Sequence, residues 1–438
     1  MPLDAIKTPL DALDRHGHEL GGNDAMHPGS RGHRWRLATR SPPLRSRLVV
    51  AVVAAALSTC GPPPSEPDAQ TPRPPPTDLA PYLEVVRNDH GLPSLAALVQ
   101  RGDQRLGLAA VGVRKRGDAT PVTVDDRYHL GSDTKAMTAT LVALLVEDGV
   151  IAWDTTMAEA FPGIPVDPGY APVTIADLLA HRGGAPAEFD LRPWADRTDA
   201  ITEQRRAFAT MILGQPPAGP RGAYIYANAG YMIVGAIVEA RTGKSWEVVL
   251  AERLFTPLGM ASCGFGAPGT AGVVDQPWGH TALWAIPPGP RADNPPVVGP
   301  AGTVHCTLAD WSRFAAVHLD GARGDTRFLS TASFQRMHTP AEGPGDPYAL
   351  GWNIIATPAG PILFHFGSNR FWFSSIFVVP SANLTVLVAT NSGIQDAALA
   401  LDHVTADLVT AHAGPGSPAS LARGSPQVAA AWREGRPR

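Results

Sequence analysis

Gly131-Ser132-Asp133-Thr134-Lys135, running on into the apolar stretch Ala136–Val146, is the segment from which the architecture of this chain is read. Ser-x-x-Lys sets a hydroxyl and an amine three residues apart, and on a helix such residues share a face. A serine hydroxyl is a weak nucleophile at neutral pH and needs a base beside it. A lysine taken out of water can be that base, because burial disfavours the ammonium. The run after Lys135 is apolar almost all round, the pattern of a buried helix. Its N-terminal N–H groups suit a developing oxyanion next to Ser132. Taken alone the motif is weak, since this spacing recurs by chance on protein surfaces.

The surrounding composition sets bounds. The chain has 438 residues, enough for two or three domains, with a formal net charge of −4 and 44% hydrophobic residues. Nothing in that balance marks a nucleic-acid binder. Met26–Arg47 contains no acid but carries Arg31, Arg34, Arg36, Arg40, Arg45 and Arg47, and Leu48–Thr59 is uncharged and mostly Val and Ala. A basic stretch and a short apolar one predict a signal peptide over 26–60, too short to span a bilayer. Leu57-Ser58-Thr59-Cys60 resembles the lipobox of bacterial lipoproteins, with Cys60 as the lipidated residue; Thr59 departs from it, so cleavage without lipid stays open. Residues 1–25 carry five acids, which places the expected translation start at Met26. Residues 61–81, with two Pro triplets, read as a stiff linker, and 414–438 as a disordered tail. The expectation is thus a cell-envelope protein held at the membrane by an N-terminal lipid. Cys263 and Cys306 remain in the folded part, either as a disulfide or as two buried thiols.

The folded region, 82–413, has two textures. Leu95–Gln100 and Arg105–Val113 read as paired strands joined at Gly102-Asp103; Ile362–Phe366, Ser374–Val379 and Leu384–Thr390 read as strands near the other end. Leu401, Val404, Thr405, Leu408 and Val409 recur at helical spacing. Between the strand groups, the stretch 136–290 reads as a mainly helical insert, with a helix over Ala229–Arg241 stopped at Thr242-Gly243. The expected class is α+β: an antiparallel sheet built from the two ends of the chain and flanked by helices.

Further residues carry a resemblance. Arg127–Lys135, Leu178-Leu179-Ala180-His181, Tyr226-Ala227-Asn228, Phe255-Thr256-Pro257-Leu258-Gly259-Met260, Pro300-Ala301-Gly302-Thr303 and His365-Phe366-Gly367 follow one another in an order that resembles the serine β-lactamase-like hydrolases. That group includes class C β-lactamases, D-alanyl-D-alanine carboxypeptidases, D-aminopeptidases and related esterases, with a β-lactamase/transpeptidase-like fold. The resemblance implies Ser132 as nucleophile, with Lys135 and Tyr226 sharing the proton transfers and either one as base. It implies substrate contacts from Asn228, His365, Gly367 and Ser368, and an oxyanion hole formed by the backbone N–H groups of Ser132 and Ser368. Asn228 is also expected to hold Lys135, and Gly367 to end an inner strand where substrate backbone comes close. His129 and His181 read as structural, and Tyr128, Tyr231, Trp352 and Trp372 as core or pocket wall. No cofactor or metal is called for.

One departure bears on substrate. Penicillin-recognising members carry a lysine where this chain has His365, which is neutral in roughly half to most of the population near neutral pH. Losing a fixed cation favours esters or amides over β-lactams, although Arg370 stands close by in sequence. The expected activity is hydrolysis of ester or D-amino-acid amide and peptide substrates through an acyl-enzyme on Ser132. β-Lactam or D-alanyl-D-alanine cleavage is the alternative, and a non-catalytic scaffold the rival. Thr242-Gly243-Lys244-Ser245 is not a phosphate loop, because Val238 stands where that loop needs glycine. Neither Gly-x-Ser-x-Gly nor His-Glu-x-x-His occurs.

Overall fold

The computed structural model describes residues 78–413. The expected start at Met26, signal peptide 26–60, lipid site Cys60, the linker up to residue 77 and the tail 414–438 lie outside the described residues.

A six-stranded antiparallel sheet is the frame. Its strands are β1 Ser94–Arg101, β2 Gln104–Gly112, β3 Asn353–Ile355, β4 Ile362–Ser368, β5 Phe373–Val379 and β6 Leu384–Thr390, in the spatial order β2-β1-β6-β5-β4-β3. β1 pairs with β2 on one edge and, on the other, with β6 from the far end of the chain, with Ala96 opposite Ala389 and Arg101 opposite Leu384. Both faces are covered, so the inner strands are apolar on alternate residues of each side. Leu95, Ala97 and Val99 share one core with Val386, Val388 and Phe377. Ala96 and Leu98 join a second core with Leu387, Ala389 and Ile376.

Helices α1 Leu79–Asp89 and α7 Gln395–Ala413 supply buried side chains to the first core. The second core takes in α2 Thr134–Glu147, α3 Ile201–Leu213, α4 Asn228–Thr242, α5 Leu308–Ala322 and α6 Thr331–His338. Helix α2 is buried from Thr134 through Leu145, as its all-round apolar sequence dictates. Helix α4 ends on Gly243 at φ 69°, the left-handed cap that glycine adopts without penalty. Strand Val304–Thr307 pairs with Arg127–His129, and Cys263 is disulfide-bonded to Cys306 on that strand. Of the two readings left open for these cysteines, the structure adopts the bond; a cross-link over 43 residues is worth about 2–4 kcal/mol.

Two features differ from the expectation. The linker boundary at 81 is too late, because α1 begins at Leu79 with Asp78 capping the Ala80 N–H at 3.0 Å. Pro81 resembles a continuation of the Pro-rich stretch, yet proline costs nothing in a first helical turn, where the N–H lacks a partner anyway. Helices α5 and α6 were absent from the sequence reading. They matter because α5 packs on the sheet and carries His318, whose Nδ1 lies 2.9 Å from His338 Nε2 and whose Nε2 lies 2.9 Å from Thr140 Oγ1 on α2.

Burial opposes charge on several of these imidazoles. It pushes His338 down to about 3, His280 and His305 to about 4, and His318 well below the ordinary 6.5. Below pH 6.5 the unfolded chain therefore binds protons that the folded one refuses, and stability falls as pH falls. Stability measured in urea should be level from pH 8 to 7 and then drop towards pH 5, each such histidine adding up to about 1.4 kcal/mol per pH unit. His338→Gln should flatten that slope by about one proton. A stability independent of pH from 8 to 5 would contradict this.

Candidate active site

The site begins with a turn wedged against the sheet. Leu130 N–H donates to Val304 O at 2.8 Å, and Thr134 Oγ1 accepts the Val304 N–H at 3.1 Å, tying both ends of the turn to one strand. Residues 131–133 form a single 3-10 turn that runs straight into α2. Gly131 sits at φ +47°, and a Cβ there would come within 2.3 Å of Ser368 N. A Cβ on Gly367 would meet Leu130 O at 1.9 Å. Two glycines thus interlock the turn and β4. Gly367 is the penultimate residue of β4, and a close approach it permits within the chain is that of Leu130 O. Ser374 Oγ on β5 lies 2.9 Å from Leu130 O and 2.7 Å from Asp133 Oδ2, adding a polar bolt beneath the turn.

Ser132 is half-buried at the N-terminal end of α2, while Lys135 is sealed from water. Lys135 Nζ lies 2.9 Å from Ser132 Oγ and donates to Ala301 O at 2.8 Å. It also sits 4.9 Å from the Tyr226 ring centroid and 5.5 Å from that of Tyr231. Burial holds its pKa well below 10.5, with Asp133 partly opposing the shift. The second hydrogen bond goes to the Ala301 carbonyl rather than to Asn228, a half-buried residue that opens α4. Ala301 is held in turn: Thr138 Oγ1 donates to Pro300 O at 2.7 Å, and the buried Arg205 donates to Pro296 O at 2.8 Å. Arg205 also pairs with Glu239 and Glu247, so its charge is compensated on both sides.

His365 is placed differently from the expected substrate contact. It is 2% exposed, with Nε2 at 3.0 Å from Tyr348 Oη and Nδ1 at 2.8 Å from Phe366 O and 3.4 Å from Asp133 Oδ1. The Phe366 carbonyl at Nδ1 puts a proton there in the neutral ring, leaving Nε2 to accept from Tyr348. Both nitrogens are therefore engaged within the protein. Burial pushes the Asp133 carboxyl up, and His365, Ser374 and Lys135 pull it back. Ser368, at the end of β4, keeps its backbone N–H beside Gly131, and its Oγ accepts from Arg370 N at 3.0 Å.

The structure brings Ser132, Lys135, Tyr226, His365 and Ser368 around one turn, and adds residues that sequence reasoning missed. His129 Nδ1 accepts the Gly131 N–H at 3.0 Å while its Nε2 meets Asp293 Oδ1 at 2.9 Å. Asn369 Nδ2 donates to the same Asp293 oxygen at 3.1 Å. Asp133, Ser374, Tyr348 and Ala301 complete the surroundings. Asp133 occupied a variable position of the motif, Tyr348 belonged to no motif, and Ala301 contributes a backbone atom, which no residue type announces. Together these groups supply a nucleophile, an amine in contact with it and a phenol near that amine, the parts that acyl transfer needs.

Comparison with known proteins agrees with this geometry. The family model described as Beta-lactamase matches residues 78–409. Penicillin-binding protein 4 of Amycolatopsis lactamdurans is 34% identical over 326 residues, covering 71% of this chain and 84% of its own length. A putative D-alanyl-D-alanine carboxypeptidase of Escherichia coli K12 is 31% identical over 188 residues, and the match spans 43% of that protein. The D-amino acid amidase of Ochrobactrum anthropi SV3, solved with L-phenylalanine, superposes with a TM-score of 0.60 at 21% identity, over 75% of this chain and 96% of that one. At that identity the likeness speaks for the fold alone.

A lysine stripped of water is a stability liability held for its chemistry. Lys135→Met keeps the volume and removes the amine. Hydrolysis should fall by about a thousandfold or more, whereas folding stability should hold or rise by on the order of 1 kcal/mol. Thermal melts beside steady-state rates check both halves; a clear loss of stability would contradict the account.

Proposed function

The chain belongs to the beta-lactamase family, a family of serine hydrolases, and we propose that it cleaves neutral acyl substrates, esters or D-amino-acid amides, through an acyl-enzyme on Ser132. The observation that carries the reading is the 2.9 Å contact between Ser132 Oγ and a fully buried Lys135 amine whose pKa burial drives down. The neutral amine takes the Ser132 proton as Oγ attacks the acyl carbonyl carbon. The carbonyl oxygen gains the negative charge and is received by the N–H groups of Ser132 and Ser368. The proton on Lys135 passes by way of Tyr226 to the leaving nitrogen or oxygen, and the carbon–heteroatom bond breaks as the carbonyl re-forms. Water then enters from the vacated side, gives a proton to Lys135 or Tyr226 and releases the acid, and Oγ recovers its hydrogen.

The substrate class follows from charge. Where penicillin-recognising relatives present a lysine, this chain places His365 against Asp133 at 3.4 Å. Whichever of the two holds the proton, the pair carries no net positive charge, so a carboxylate beside the scissile bond finds no buried cation there. Asn228 and the β4 edge are left to hold the amide or ester by hydrogen bonds. The basic segment before Leu48 and the Leu57–Cys60 sequence support export to the cell envelope, with attachment through Cys60.

The full chain should take a fluorophosphonate on Ser132, located by mass spectrometry, and turn over p-nitrophenyl acetate steadily. Ser132→Ala should abolish both with the fold intact. A D-phenylalanine amide should outpace a peptide ending in a free D-alanine carboxylate by about tenfold or more. Labelling without turnover would mark an acyl sensor, and a well-folded chain that takes no label would leave the scaffold reading.

A further inference from the structure

We propose that His181, in the turn after the short helix Ile175–Leu179, is the positioning residue that holds Tyr226 against Lys135; this rests on the reading of Tyr226 as a proton carrier. The His181 carbonyl accepts the Ile225 N–H at 2.8 Å, and its Nδ1 accepts the Ala227 N–H at 3.1 Å. The two backbone neighbours of Tyr226 thus hang on one residue, by its main chain on one side and its side chain on the other. The His181 ring completes the clamp, 4.3 Å between centroids from the Tyr226 ring.

The clamp is built at a cost, which argues that it serves something. His181 sits at φ +59°, in the left-handed region that a non-glycine residue enters only when its surroundings compel it. Its Nδ1 is an acceptor, so the neutral ring carries its proton on Nε2, and that nitrogen is buried without a hydrogen-bond partner among the described residues. The ring lies among Tyr226, Tyr348 at 4.6 Å and Tyr231 at 5.3 Å. Protonation would put a hydrogen on Nδ1 and break the Ala227 bond. Burial, Lys135 and His365 all oppose it, and hold the imidazole neutral. The turn itself is anchored elsewhere: Tyr231 Oη donates to Leu179 O at 2.7 Å, and Arg182 to Gly222 O at 2.7 Å. Removing the imidazole therefore frees Ala227 and one face of Tyr226 while the turn keeps its other ties.

The experiment is a double-mutant cycle on the full chain, read as burst-phase acylation rate, KM and the pH profile of acylation with a p-nitrophenyl ester. His181→Ala should slow acylation by about a hundredfold, the scale expected when a catalytic group is misplaced by an ångström, with KM within about threefold. His181→Asn offers an acceptor for the Ala227 N–H and tolerates the left-handed backbone, and should recover about tenfold of that loss. In a Tyr226→Phe background, His181→Ala should add little, because both changes remove the same function. Losses that multiply in the double variant would overturn the proposal, as would an Ala variant within about threefold of the native acylation rate or an Asn variant no better than Ala. If Tyr226→Phe alone leaves acylation and its pH profile unchanged, it is the parent reading of Tyr226 that fails.

Discussion

Everything around this site answers to one constraint: an amine must stay out of water, within hydrogen-bonding distance of a serine, with its desolvation only partly offset by the Asp133 carboxyl. Lys135 Nζ meets that constraint with two neutral partners, Ser132 Oγ and Ala301 O. Desolvation then favours the free base, the form that accepts a proton. Much of the core is explained by this need. Helix α2 is buried on every side, so the amine cannot snorkel to solvent. The segment bearing Ala301 is pinned by Thr138 and by the charge-compensated Arg205, so the carbonyl that receives the second hydrogen bond is fixed in place.

The sheet supplies the second requirement, a serine that does not move. Strands from both ends of the chain pair into one frame, and β4 and β5 receive the turn that bears Ser132. Gly131 and Gly367 leave room for backbone to touch backbone, and Ser374 ties β5 to the turn at Leu130 and Asp133. His129 continues the same logic outwards, coupling the Gly131 N–H to Asp293 and so to Asn369 beyond the end of β4. The buried Asp133 carboxyl beneath the turn is met by Ser374 Oγ at 2.7 Å, and the His365 ring stands beside it at 3.4 Å.

The sequence discloses the parts of this design that depend on residue type and period. Five of the six strands were legible because apolar residues fill both faces of β1, β5 and β6 between turn residues such as Gly102-Asp103 and Pro380–Asn383, whereas the three residues of β3 are too few to show a period. Helix α4 was legible from its apolar run and its Gly243 stop, and the Ser132–Lys135 pair from its spacing together with the ordered motifs that follow it. What stayed hidden was set by tertiary placement. Ala301 acts through a carbonyl, and Tyr348 reaches His365 from a loop with no periodic signature. Helix α1 was masked by Pro81, a residue that reads as linker yet fits a first turn. His129 and His181 are buried, as a structural reading requires, but each accepts a backbone N–H next to a residue of the site, a role that only geometry reveals.

The central claim is that burial makes Lys135 a base, and it can be titrated directly. The chain contains only Lys7, Lys115, Lys135 and Lys244, so a full-length sample labelled with 13C at lysine Cε gives a sparse spectrum, with Lys135 assigned by its disappearance in Lys135→Met. The account predicts a Lys135 Cε signal that titrates well below the ordinary lysine value of 10.5. A Lys135 signal that titrates at 10.5 or above would contradict the account, and would require some other group to take the proton from Ser132.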